Sequence, residues 1–173
     1  AVADYCQQLK VQGTVLSLAV CTVGVLHDTS TEGTAVAPEK RLEDLNAASL
    51  LHYFQTNTVI PSIWLKHTEP LLKGQHPAHL VFFTARVGSI SDNRLGGWYS
   101  YRSSKAALNM LLKNFAIECA RLKRSVVIVG LQPGTTDTNL SAPFQRGVRP
   151  EDLQTVEYTA SQLIKVMSVL EPK

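Results

Sequence analysis

The stretch HLVFFTARVGSISDNRLGGWYSYRSSKAALNMLLKNFAIECARLKRSVVIVGL, residues 79–131, contains a complete strand–helix–strand unit. Its ends, His79–Phe83 and Ser125–Leu131, are almost wholly apolar and have the length of strands. Runs of this kind are typical of strands buried on both faces of a parallel sheet. Between them, Tyr99–Leu122 carries the broad apolar stripe of an amphipathic helix. We therefore predict two parallel strands joined by a right-handed helical crossover.

The same alternation extends to both sides of this unit. On the N-terminal side we predict a helix over the first dozen residues that ends at Gly13, and then the strand Val15–Cys21, buried on both faces. A turn-rich loop at 23–42 follows. The helical segment Leu45–Leu72 comes next, and in it Pro61 marks a kink or the start of a second helix. On the C-terminal side a loop at 135–150 precedes a last helix, Glu151–Leu170. Three strand–helix pairs in succession predict an α/β fold with a parallel sheet.

Composition restricts the class of partner. The chain has 173 residues, 45% of them hydrophobic and 18% charged, which fits one folded domain and excludes disorder. Its net charge of +3 is scattered, which gives no case for nucleic acid or an anionic membrane as partner. No apolar run reaches the ~18 residues of a membrane span. Cys6, Cys21 and Cys119 lack disulfide or metal spacing, so we expect free thiols, no metal site and a reducing, cytoplasmic location.

Small and hydroxyl-bearing residues follow each predicted strand. Gly24 follows the first strand, the segment with Thr84, Ser89 and Ser91 follows the second, and 133–138 (PGTTDT) follows the third. In open parallel sheets, ligands bind beyond the carboxyl ends of the strands. We therefore expect a cleft lined by these segments.

Tyr101 and Lys105 are the strongest catalytic candidates. They are four residues apart on the predicted helix and share one face, about 5–6 Å apart. An ammonium there stabilises tyrosinate and lowers the phenol's pKa from about 10, so the tyrosine can exchange a proton with a carbonyl or alcohol oxygen. On its own the pair also fits an ordinary exposed helix pair. Its position, after a buried strand and a serine-rich loop, favours catalysis.

Two segments carry a resemblance to a known family. Ala85–Asn93 with Gly96–Lys105, and Gln132–Ser141, are similar almost residue for residue to the carbonyl-reductase branch of the short-chain dehydrogenase/reductase superfamily, which includes C-factor and sniffer-like proteins. The resemblance extends from the first helix to residue 170. It implies a Rossmann-like doubly wound parallel sheet, NADP or NAD as cofactor, and hydride transfer between nicotinamide and a small carbonyl or alcohol substrate.

The resemblance also implies roles for single residues. Tyr101 is the catalytic acid/base, and Lys105 tunes it; both contact the cofactor, Lys105 through the nicotinamide ribose hydroxyls. Asn57 corresponds to a helix asparagine that holds a water in a proton relay, although its position one turn before Pro61 also fits a kinked helix.

Further cofactor contacts are implied after the first and third strands. Gly24 lies beside the adenine ribose, in a segment that reads Cys-Thr-Val-Gly and lacks the family's usual asparagine. Pro133, Gly134 and Thr138 contact the nicotinamide carboxamide.

The residue that orients the substrate carbonyl departs from the family's pattern. The family has a serine pair directly after this strand, where the chain has Thr84-Ala85. Ser89 lies twelve residues before Tyr101, close to the usual separation, and is the first candidate for this role. Thr84 is second and Ser91 third. Each hydroxyl is equally well explained as a loop group that bonds its own backbone.

The resemblance is incomplete at both ends. No Gly-x-x-x-Gly-x-Gly occurs, and the first helix matches the segment before the family's fourth strand. We expect 1–173 to be a single Rossmann-like domain without the N-terminal strand–turn–helix and the last strand. This leaves a second hypothesis, a non-catalytic or signalling protein with an impaired dinucleotide site. Because the helices predicted at Leu45–Leu72 and Tyr99–Leu122 form the family's dimer interface, the resemblance also implies a homodimer.

Overall fold

A three-stranded parallel sheet organises the fold. The computed structural model describes residues 1–28, 36–74 and 76–172. The strands β1 (Leu18–Cys21), β2 (Ala78–Phe83) and β3 (Val126–Leu131) pair in the order β1–β2–β3. All pairs are parallel, so the predicted α/β class is confirmed and the carboxyl ends of the strands meet at one edge.

Five α-helices accompany the sheet in the described residues. They are α1 (Val2–Val11), α2 (Ala47–Phe54), α3 (Ile60–Thr68), α4 (Tyr99–Arg121) and α5 (Val156–Ser168). The first four lie where the sequence predicts helices. None of the helices described by the structure is long and apolar enough to cross a membrane. Cys6, Cys21 and Cys119 are free.

The predicted kink near Pro61 takes the form of a π-helical turn. Residues Gln55–Val59 form this turn between α2 and α3, and Pro61 lies in the first turn of α3. A proline in a regular α-helix has no N–H for the carbonyl four residues earlier and its ring clashes with that carbonyl. Here that carbonyl belongs to Asn57, and the widened turn accommodates the proline.

The main core lies between the sheet and the helices α3 and α4. Its buried members include Leu80 and Phe82 of β2 and Leu108, Leu112 and Cys119 of α4. Packing of α4 against β2 fixes the helix that carries Tyr101 and Lys105. Truncation of a leucine at such positions costs about 2–5 kcal/mol.

The prediction that the first strand is buried on both faces is wrong. Leu18 and Val20 of β1 are 49% and 46% exposed, whereas Ala19 and Cys21 pack against the core. Successive side chains of a strand point to opposite faces, and the face that carries Leu18 and Val20 is the one turned away from this core.

The last helix begins later than predicted. Residues Pro150–Asp152 form a 3₁₀ turn, and Leu153–Gln154 form a short strand, β5, which pairs with β4 (Thr135–Thr136). The helix then starts at Val156, where the hydroxyl of Thr155 accepts a hydrogen bond from the Tyr158 amide at 3.1 Å. This cap sets the start of the helix. The middle of the predicted loop at 23–42, residues 29–35, lies outside the described residues.

Candidate active site

Tyr101 and Lys105 share a buried position at the carboxyl edge of the sheet. The two side chains, in the first turns of α4, are 7% and 3% exposed. The Lys105 Nζ lies 5.9 Å from the centroid of the Tyr101 ring. It donates a hydrogen bond of 3.0 Å to the carbonyl of Phe83, the last residue of β2. The i, i+4 spacing therefore places phenol and amine together beside a strand end.

Gly24 lies against both the Lys105 amine and the Asn57 side chain. A Cβ built on Gly24 would be 3.1 Å from Nζ and 3.4 Å from the Asn57 Oδ1. Asn57, fully buried in the π-helical turn, accepts from the Val25 amide at 2.7 Å and donates to the Val25 carbonyl at 3.0 Å. The absence of a side chain at Gly24 allows these groups to approach one another. A third hydrogen bond, of 3.1 Å, joins Asn57 Nδ2 to Ser104 Oγ.

Burial controls the protonation of the pair. It lowers the pKa of Lys105 to about 8, an effect partly opposed by the neighbouring Cys21. It raises the pKa of Tyr101 to about 12. The lowering of the phenol's pKa expected from the sequence is therefore not seen in this state, because the cost of burying a phenolate outweighs attraction to the amine. At neutral pH the tyrosine holds its proton and can act as a donor.

Aromatic rings surround Tyr101. The Tyr53 and Trp98 rings lie 6.0 and 6.1 Å away, both edge to face, and Phe144 contacts Trp98 at 5.1 Å. Tyr53 and Trp98 are not among the site residues predicted from the sequence. The Tyr53 hydroxyl donates to the Leu26 carbonyl at 2.6 Å, which ties the segment after β1 to α2. For Trp98, the one indication in the sequence is its position directly before the helix that carries Tyr101.

The hydroxyl of Thr84 is occupied. It donates to the carbonyl of Leu131 at 3.3 Å, and its methyl group lies against Gly130 of β3. Its neighbour Ala85 packs instead against the cluster around Tyr101. The residue after Thr84 thus contributes a methyl group to this cluster rather than a hydroxyl.

Ser89 and Ser91 lie in the loop before α4. The half-buried Ser89 accepts from the Asp92 amide at 3.3 Å, and its Oγ is 3.5 Å from the Oγ of the exposed Ser91. These contacts close a turn. With Ser91 as the donor in the contact between the two hydroxyls, the single hydroxyl proton of Ser89 is free for another acceptor.

The segment after β3 makes a sharp turn at the same edge of the sheet. Gly134 has a φ of +80°, in the left-handed region that favours glycine, and follows Pro133. Thr138 is exposed, and its hydroxyl donates to the Thr136 carbonyl at 3.4 Å. These residues follow β3 as predicted, and their described contacts are with their own segment and with the Gln154 side chain.

Gly88 permits the loop before α4 to touch the helix, which gives a testable prediction. A Cβ at this position would lie 2.9 Å from the backbone carbonyl carbon of Lys105 and 3.1 Å from the Ala106 nitrogen. We expect Gly88→Ala to lower the free energy of unfolding by about 1–3 kcal/mol, since neither backbone group can move freely. Urea unfolding measures the change. Gly147→Ala is the control, because no atom of the described residues lies within 4 Å of a Cβ built at this position. Equal effects of the two changes would contradict the steric explanation.

Comparisons with known proteins show the family of the chain. The family model for short chain dehydrogenases matches residues 12–148. The 1-hydroxy-2-glutathionyl-2-methyl-3-butene dehydrogenase of Rhodococcus sp. (strain AD45) is 37% identical over 119 residues, which are 69% of this chain and 50% of the relative. The chain thus spans half the length of that relative.

Solved structures share the fold. The carbonyl reductase Sniffer of D. melanogaster matches with a TM-score of 0.75 at 25% identity, over 98% of this chain and 64% of its own. The NADPH-bound carbonyl reductase from chicken fatty liver matches with a TM-score of 0.76 at 24% identity, over 99% of this chain and 64% of the reductase chain. Since the family model covers most of the chain, including the helix with Tyr101 and Lys105, the chain belongs to the short-chain dehydrogenase family.

Proposed function

We propose that this chain is a single Rossmann-like domain and functions as an oxidoreductase. The proposed reaction is the transfer of a hydride between NADP or NAD and a small carbonyl or alcohol substrate. The observation that carries the proposal is the buried Tyr101–Lys105 pair beside Gly24 and Asn57 at the carboxyl edge of the sheet. The chicken carbonyl reductase, which has the same fold and binds NADPH, supports it.

The residues around Lys105 fit a nicotinamide ribose. An ammonium has three N–H donors, and the described contact to the Phe83 carbonyl uses one. The remaining donors suit two neighbouring hydroxyl groups. The missing side chain of Gly24 leaves the approach to the amine open. In this proposal Pro133, Gly134 and Thr138 hold the carboxamide.

Each residue then has a defined task in reduction. The reduced nicotinamide, when bound, supplies the hydride. Tyr101 donates its phenolic proton to the substrate oxygen, and the Lys105 ammonium stabilises the phenolate that remains. In the reverse direction Tyr101 takes the proton back. Asn57 holds the segment around Gly24 against Lys105 and contributes to the path that restores the proton.

Ser89 is the proposed hydroxyl that orients the carbonyl. The Thr84 hydroxyl already donates its proton to the Leu131 carbonyl, and Ser91 is exposed. Ser89, by contrast, can accept a hydrogen bond from the Asp92 amide and still donate one to a substrate. The apolar and aromatic surroundings of Tyr101 favour a small carbonyl compound with an apolar substituent.

A screen of aldehydes and ketones tests the proposed function. The full-length protein should oxidise NADPH or NADH in the presence of at least one carbonyl compound, as followed by the absorbance of the reduced nicotinamide. Absence of both oxidation across the panel and saturable binding of either cofactor would favour the non-catalytic alternative, because its dinucleotide site is impaired.

We propose a homodimer formed through α3 and α4. Ile63, Met110 and Ile117 on these helices are 40%, 60% and 54% exposed. Met110 and Ile117 are seven residues apart and share a side of α4. Equilibrium sedimentation should give a dimer at micromolar concentration, and Ile117→Glu should shift it to monomer. A wild-type protein that sediments only as a monomer would contradict the proposal.

A further inference from the structure

A buried carboxylate lies at the start of the helix that carries the candidate catalytic pair. Glu39 is 4% exposed and Ser100, in the first turn of α4, is fully buried. The Ser100 amide donates to Glu39 Oε2 at 3.1 Å, and the Ser100 hydroxyl donates to Oε1. Both carboxylate oxygens are therefore bound to one residue that lies 61 positions later in the sequence.

Glu39 replaces a cap that α4 lacks. The residue at the N-cap, Trp98, makes no capping hydrogen bond through its side chain, and the first turn of α4 contains no acidic residue. Free amides and the positive end of the helix dipole at this position favour a negative charge. The carboxylate of Glu39 supplies both the acceptor and the charge.

The backbone of Glu39 fixes the turn that enters the helix. Its carbonyl accepts a hydrogen bond from the Trp98 amide. Trp98 has a φ of 54°, which is unusual for a residue other than glycine. The preceding Gly97 lies so close that a Cβ would be 3.5 Å from the same carbonyl. Side chain and backbone of one residue thus hold both the strained turn and the first turn of α4.

This contact leads directly to the candidate site. Tyr101 follows Ser100 in the helix, and its ring contacts Trp98 at 6.1 Å. Val36, three residues before Glu39, is buried in the same cluster as Tyr101. A shift of the first turn would therefore move the Tyr101 phenol relative to Lys105, which the Phe83 carbonyl holds from the sheet.

We propose that Glu39 is a positioning residue that orients Tyr101 by holding the first turn of α4. The claim about catalysis rests on the proposed oxidoreductase function, whereas the claim about geometry does not.

Amide hydrogen exchange tests the geometry without reference to activity. In Glu39→Gln, whose side chain has the same size, the Ser100 amide should exchange about tenfold faster or more, the factor expected on losing a charge-assisted hydrogen bond. The ring resonances of Tyr101 should shift as well. Amides of β3 should stay unchanged. The matched control is Glu43→Gln, because Glu43 is exposed and pairs only with Arg41 among its described contacts.

Kinetics test the consequence for catalysis. Glu39→Gln should lower kcat about tenfold with the KM for the cofactor unchanged, and Glu39→Asp should recover part of this loss.

If Glu39→Gln does not fold, Ser100→Ala removes one of the two hydrogen bonds and should give smaller effects in the same direction. Unchanged exchange at Ser100 and unchanged Tyr101 resonances would overturn the proposal. A wild-type protein that reduces no carbonyl compound, together with faster exchange in Glu39→Gln, would instead overturn the proposed function and keep the positioning role.

Discussion

Tyr101→Phe should lower kcat for carbonyl reduction by about 100- to 10,000-fold, the contribution typical of a positioned general acid. The change removes the phenolic proton and leaves the ring contacts with Tyr53 and Trp98 in place. The fold and the Kd for NADPH should therefore remain nearly unchanged, since Lys105 keeps its position. Steady-state kinetics and cofactor titration on the same preparation measure the two effects.

Tyr158→Phe is the matched control for this experiment. Tyr158 lies in α5 and is 52% exposed, so loss of its hydroxyl should leave kcat unchanged. Turnover at the wild-type rate in Tyr101→Phe would exclude the phenol as the proton donor.

Lys105→Met should abolish activity and stabilise the fold at neutral pH. Burial lowers the pKa of Lys105 from 10.5 to about 8, so between these values the unfolded chain binds the proton more strongly than the folded chain. The lysine's contribution to the free energy of unfolding therefore rises from pH 8 to pH 10.5, and its full penalty is present below pH 8. Removal of the amine should add about 1–3 kcal/mol at pH 7, after allowance for the lost hydrogen bond to Phe83.

The pH dependence separates this effect from simple repacking. The stabilisation should shrink above pH 8 and be absent near pH 10.5, as measured by urea unfolding at each pH. Lys113→Met is the control, because Lys113 is an exposed residue of the same helix. A stabilisation of equal size at pH 7 and pH 10.5, or none at either, would show that burial of the ammonium does not destabilise the fold.

The element order is predictable from the sequence because local patterns encode it. The apolar runs that became β2 and β3 and the periodicity of α4 each depend on neighbouring residues only. The proximity of Tyr101 and Lys105 follows from their spacing on a helix. The π-helical turn follows in part from Pro61, which cannot serve the carbonyl of Asn57.

The remaining features depend on contacts between distant segments. The exposure of Val20 depends on which elements pack against each face of β1, which no run of apolar residues reveals. The raised pKa of Tyr101 results from its enclosure by groups such as Tyr53, 48 positions earlier in the sequence. The cap that Glu39 provides to Ser100 spans 61 positions and matches no local capping pattern.

The most direct test of the proposed site is a titration of the full-length protein with NADPH and NADH, followed by nicotinamide fluorescence, in the wild type and in Lys105→Ala. If Lys105 holds the nicotinamide ribose, the wild type binds at least one cofactor saturably and Lys105→Ala binds it about tenfold or more weakly. Absence of saturable binding in the wild type, or equal affinity of the two proteins, would contradict the assignment of this site.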